Sequence, residues 1–188
     1  MAKSNTQTKL EAHILKCVFT YLSLICALLL IVVAGVAFWA HTFIGDMVKH
    51  ELSVQKVYFP EKGSKALDPA TYPGLQKYAG QLVDSPEKAK AYANEYIGEH
   101  LQHVAGGKTY SEVSTAAMLD PTNTELQRQK ATLFQGETLR GILLTSGYGF
   151  GTIGIVAGIV AYAALGAALL LLLIALILMG SLRRKRAS

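Results

Sequence analysis

The chain has 188 residues, 51% of them hydrophobic, and its 18 Lys and Arg against 13 Asp and Glu give a net charge of +5. That is the length of one ordinary domain, yet the positive charge sits at the two ends, which excludes a basic face for nucleic acid. Only two cysteines are present, Cys17 and Cys26, so a disulfide-stapled fold is excluded as well.

Residues 1–16 carry Lys3, Lys9 and Lys16 against Glu11 and read as a polar N-terminal segment. From 17 to 45 there is no Asp, Glu, Lys or Arg. About 20 apolar residues cross a bilayer as a helix, so this stretch is long enough to span. It is also longer than the apolar core of roughly 7–15 residues in a signal peptide, and reads as an anchor. Cys17 and Cys26 are nine positions apart, about half a turn out of phase, and cannot pair within one helix. They read as apolar packing residues, with lipidation of Cys17 as the alternative.

Residues 46–145 form the next segment. Lys49 to Phe59 is mixed in character and Pro60 ends it, after which PEKGSKALDPATYPG reads as loop and turns. Asp68-Pro69 begins one helical turn, which Tyr72-Pro73-Gly74 closes, and Leu75 to Val83 reads as a further short helical piece. Ser85 then caps a helix with Pro86 at its first position. Its apolar stripe is Ala89, Tyr92, Ala93, Tyr96, Ile97, His100, Leu101 and Val104, and Gly106-Gly107 stops it. Thr109 with Glu112 has the spacing of a capping box for a second helix, ended by Asp120-Pro121. Thr122 with Glu125 repeats that spacing for a third. This third helix meets GETLRGILL without a break and enters the second apolar stretch as one rod. No stretch alternates as a strand does.

From 141 to 182 there is again no charged residue. We place the second span at 146–182 and a basic tail, Arg183, Arg184, Lys185 and Arg186, at 183–188. Lys and Arg flanking a span favour the cytoplasmic side, so both termini are expected inside the cell membrane and the middle outside. The fold expected is therefore an all-α membrane protein: two transmembrane helices with a small helical extracytoplasmic domain between them. Lipid is an expected neighbour, and nucleic acid is not.

Glu99-His100-x-x-His103 is the candidate metal motif. Its histidines, three apart, share one side of a helix. The helical zinc signature has its ligands four apart with the Glu between them, whereas here Glu99 precedes both. A third ligand would have to come from His50 or His41. The competing reading makes His100 a packed histidine of the apolar stripe, and it is the one we adopt, with no metal and no cofactor expected. GYGFG at 147–151 lacks the Gly-Lys-Ser/Thr of a phosphate loop. With Gly154 and Gly158 it places Gly147/Gly151 and Gly154/Gly158 four apart, the spacing that lets another backbone approach closely in lipid. There is no nucleophile elbow, and neither span carries the acid or base that a pump or proton relay needs.

The phrases VQKVYFPEKGSKALDPATYPGLQKYAGQ, KAKAYANEYIGEHL, GKTYSEVS and LFQGETLRGILL resemble a family of two-span actinobacterial membrane proteins with an extracytoplasmic helical domain. Many of its members carry the name aromatic ring-opening dioxygenase. That chemistry needs a metal, and a two-His-one-carboxylate set is not evident in this sequence. Similar small proteins of that group serve as accessory subunits of the respiratory supercomplex joining cytochrome bc to cytochrome oxidase. The resemblance implies a non-enzymatic accessory or structural subunit with integral membrane proteins, including those of the respiratory chain, as partners. The alternatives are a metal-dependent extracytoplasmic enzyme using His100 and His103, and a self-associating or envelope-binding scaffold.

Overall fold

A computed structural model describes residues 2–184. Lys185 and Arg186 of the basic tail lie outside the described residues, as do the side chains of Lys3, Lys9, Arg183 and Arg184. The fold is all-helical, with two long apolar helices. Its elements are α1 (Ala2–Val54), α2 (Pro86–Ala91), α3 (Gly98–Ala105), α4 (Tyr110–Leu119), α5 (Thr124–Ile142) and α6 (Phe150–Arg184). A π-helical turn, Tyr92–Ile97, joins α2 to α3, and a second, Leu143–Gly149, joins α5 to α6. The chain divides into two compact units, one of residues 1–42 and 155–188, the other of residues 43–154.

In the first unit, α1 and α6 lie antiparallel. Lys16 Nζ donates to Ser181 Oγ at 3.4 Å near one end, and the His41 ring lies against Gly158 near the other. The 25 residues between Lys16 and His41 rise about 37 Å, more than the ~30 Å hydrocarbon core of a bilayer. Small residues fill the seam: Thr20, Ser23, Ala27 and Ala34 on α1, and Ala161, Ala164, Ala168 and Ala175 on α6, are all buried. The seven-residue steps 20, 27, 34 and 161, 168, 175 keep one stripe of each helix facing its neighbour, the geometry of a shallow left-handed crossing. The opposite faces carry exposed Leu28, Leu29, Leu169 and Ile177.

The second unit is built on a core that includes Phe59, Leu67, Leu75, Val83, Ile97, Leu101, Val113 and Leu133. Burying each such apolar side chain stabilises by about 1.5–3 kcal/mol. Through it runs a chain of five rings, Tyr78–Phe59–Tyr92–Tyr96–Tyr72, with successive centroids 5.0 to 5.4 Å apart. Tyr78 donates its hydroxyl to Glu87 Oε1 at 2.6 Å. The local signals for α2 and α4 hold. Ser85 Oγ accepts from Lys88 N with Pro86 at the first position, Gly106 is left-handed at φ 59°, and Thr109 with Glu112 forms a complete capping box.

Two expectations are corrected. Leu75 to Val83 is not one helical piece: a 3-10 turn covers Pro73–Tyr78, and the chain then extends. There Phe59 N donates to Gln81 O at 2.9 Å and Val83 N to Val57 O at 2.8 Å, because a distant segment supplies a ladder partner. Thr122 and Glu125 do not form a capping box. Asn123 Oδ1 accepts from Leu126 N, Thr122 donates to Asp120, and Glu125 binds Arg128 through two bonds. Asn caps at least as well as Thr, and with Asn123 at the cap Glu125 falls one position short of the box. Helix α1 itself continues beyond the apolar stretch to Val54, and Lys56 follows it with φ 53°.

Candidate functional site

The four glycines at 147, 151, 154 and 158 each meet an atom of their own chain. In the second unit, a Cβ on Gly147 would come within 2.8 Å of Ala89 Cβ, and one on Gly151 would overlap the ring of Pro86. Gly154 would place its Cβ 2.9 Å from Ile44 Cγ2. In the first unit, a Cβ on Gly158 would lie 2.8 Å from His41 Nδ1. GYGFG is thus a notch for helix packing. Gly147 and Gly151 admit the first turns of α2, and the Lys90 ammonium covers the Tyr148 ring at 4.8 Å. The π turn at Leu143–Gly149 is wound wider than an α-helix, and it carries Leu143 into the core.

His100 and His103 are not brought together with a third ligand. His103 Nε2 lies 3.3 Å from Glu99 Oε1 on an exposed face. His100 is exposed, beside Tyr96, Gly136 and Leu139, so its expected place in the packed stripe is corrected. The reason lies in the winding. The buried positions Ala89, Ala93, Ile97, Leu101 and Ala105 repeat every four residues, and the π turn, with about one more residue per turn, keeps them on one face. His100, placed by the ordinary 3.6-residue period, is turned out of it. Among the described residues no three His, Cys, Asp or Glu side chains gather as a metal ligand set.

A main-chain oxygen of the π turn also takes a second hydrogen bond, from a side chain. Gly98 N donates five residues back to Ala93 O, and Arg140 of α5 donates from Nε to the same oxygen at 3.0 Å. The guanidinium reaches Asn94 Oδ1 at 3.3 Å and both oxygens of Glu137 at 2.9 and 3.0 Å. Arg140 Cζ and Nε pass over Gly98 at ordinary contact distance, 3.6 Å from where a Cβ would stand. Arg140 forms one wall of a cleft of about 460 Å³, with Asn94, Gln102, Lys108, Ser111 and Glu137 on the others. Its charge and hydrogen bonds are directed at the π turn between α2 and α3 and at its own helix, so it clamps the unit.

Electrostatics follow burial and capping. Burial pushes the Tyr92 phenol above its ordinary range, and the adjacent Tyr96 phenol adds to this. Burial does the same to Tyr96, to Tyr72 and to Tyr78, where the bond to Glu87 contributes. The Glu112 carboxyl is held below its ordinary value first by the main-chain N–H of Thr109, then by that residue's hydroxyl. These shifts belong to packing and caps. Neither the Arg140 clamp nor the alanine seam is foreseen by the sequence reading, although the seven-residue steps of the seam were available in it.

No family model, no curated protein and no solved structure matches this chain.

Proposed function

We propose that this chain is a non-enzymatic accessory subunit of a larger membrane protein complex. In this reading α1 and α6 span the membrane, both termini are cytoplasmic, and the 43–154 unit stands outside as a helical cap. The observation that carries it is where the polar side chains point. Arg140, Glu87, Glu112, Glu125, Asn123 and Asp84 are engaged in clamps and caps of the fold itself. The faces of α1 and α6 away from the seam remain apolar and exposed. Such faces suit lipid or the helices of other integral membrane proteins.

Aromatic residues support the immersion. Tyr21 and Trp39 are exposed at 68% and 63%, and the 18 residues between them rise about 27 Å, close to the hydrocarbon thickness. Amphipathic rings concentrate at the two membrane–water interfaces. The resemblance of residues 50–150 to the two-span actinobacterial family suggests the respiratory supercomplex as the partner assembly.

Two substitutions test the reading. Thr115→Cys, on an exposed face of α4, should react with an impermeant thiol reagent in intact cells, and protection there would reverse the topology. His103→Gln should leave the metal content and partner recovery of the purified chain unchanged. A stoichiometric metal lost with that change would favour the enzyme reading instead.

A further inference from the structure

Basic residues gather at both ends of the chain, and the structure sets Lys16 of α1 beside the last turns of α6. Residues 1–16 hold three lysines against Glu11, and residues 183–186 are all basic, with no acid from 141 onward. Lys16 Nζ donates across the pair to Ser181 Oγ at 3.4 Å. Ser181 gives its own proton to Leu178 O at 2.8 Å, so its oxygen meets the ammonium as an acceptor. The lysine is thereby held between the two helices, level with a residue two positions short of Arg183. Among the described residues no carboxylate pairs with it. Glu11 lies five positions back on α1, about 140° around the helix.

We propose that this end of the α1–α6 pair holds the phosphate head group of an anionic phospholipid at Lys16 and Ser181. The step rests on the membrane reading above, which puts this end at the cytoplasmic surface. An ammonium has three N–H donors and Ser181 takes one, which leaves the others for phosphate oxygens. The depth agrees with this occupant. Lys16 stands five residues beyond the exposed ring of Tyr21, a rise of about 7.5 Å. The head-group layer on each side of the hydrocarbon is about 5–8 Å thick, so the ammonium reaches the level of the phosphates.

Apolar surface continues from this polar pair toward the middle of the helices. Phe19 follows Lys16 by three positions and is 52% exposed, and Ile177 precedes Ser181 by four and is 63% exposed. Three- and four-residue steps stay on one side of a helix, so each polar residue has an open apolar neighbour one turn deeper. An acyl chain lies along such a face while its head group meets the cation, a combination that a free phosphate lacks. Charge sets the class of lipid. Clustered Lys and Arg at the cytoplasmic edge of a span attract anionic head groups, whereas a zwitterionic one brings a positive group of its own.

The test uses the full chain in mild nonionic detergent, stripped of bound lipid. Phosphatidylglycerol, phosphatidylcholine and inorganic phosphate are the probes, read by titration calorimetry. Phosphatidylglycerol should saturate and bind several-fold more tightly than phosphatidylcholine, and inorganic phosphate at the same concentration should not displace it. Lys16→Gln should weaken phosphatidylglycerol about five-fold, the share of one lysine near an anionic surface. Lys16→Arg should keep the affinity, and Lys62→Gln, exposed in the other unit, should leave it unchanged. Circular dichroism confirms that each variant keeps its helices. Equal affinity for the two lipids, indifference to Lys16→Gln, or displacement by inorganic phosphate would each overturn the proposal. Alkaline carbonate extraction of native membranes tests the underlying reading separately. Release of the chain would overturn that reading and this proposal with it, whereas retention without lipid preference would overturn this proposal alone.

Discussion

Arg140 donates from Nε to the main-chain oxygen of Ala93 at 3.0 Å, a second bond on an acceptor that already takes the Gly98 N–H in the π turn at Tyr92–Ile97. One planar guanidinium thereby joins three partners: Ala93, Asn94 and Glu137. Hydrogen bonds made by a charged donor contribute about 1.5–3 kcal/mol. Arg140→Ala should lower the stability of the 43–154 unit by about that amount, read from denaturant unfolding of the chain in detergent. Arg140→Lys should recover little of it, because an ammonium lacks the flat fork that serves three acceptors. Full recovery by Lys would show that charge alone matters there.

The His41–Gly158 contact gives a second prediction. Gly158→Leu drives a side chain into the imidazole, and overpacking of this kind costs about 1–3 kcal/mol. The variant should therefore fall in membrane abundance, and adding His41→Ala should restore part of it. Leu171→Ile, away from the glycines, should have little effect. If Gly158→Leu keeps its abundance but loses only partner recovery, the glycine instead faces another protein.

How much of this was legible follows from how local each signal is. The Ser85-Pro86 start and the Thr109–Glu112 box involve atoms three residues apart, so the sequence alone specifies them. Thr122 with Glu125 has the same spacing, yet Asn123 stands between them and captures the cap. Extension of the chain after Tyr78 depended on Val57 and Phe59, some twenty residues away, which no local pattern records. The outward turn of His100 depended on a π turn with no residue signature of its own. Of the candidate site, the glycine spacing was visible, but which atoms filled each notch was a matter of tertiary packing.

Lys56 supplies a third prediction. It adopts φ 53° just beyond the end of α1, a left-handed conformation that costs a residue with a Cβ roughly 1–2 kcal/mol. Lys56→Gly should raise stability by about 1 kcal/mol, offset in part by the greater freedom of glycine in the unfolded chain. A lower melting temperature for this variant would contradict the geometry.

The tyrosine chain predicts an alkaline limit. Phenols at Tyr72, Tyr78, Tyr92 and Tyr96 ionise above their unfolded value near 10. Their contribution is complete below pH ~10 and is lost as the pH climbs toward the raised folded values, because the unfolded chain gives up its protons first. Phenolate absorbance should appear in two stages, with the later stage coinciding with loss of helix. A single stage at the ordinary value with the helices intact would contradict the burial of these rings.

The central claim concerns company in the membrane. The most direct measurement isolates the chain from its native membrane in mild detergent and identifies, with stoichiometry, every protein that stays bound. The account predicts integral membrane subunits recovered in a fixed ratio to the chain, with the same ratio for His103→Gln. Recovery of the chain with itself alone, or with no other membrane protein at a constant ratio, would contradict it.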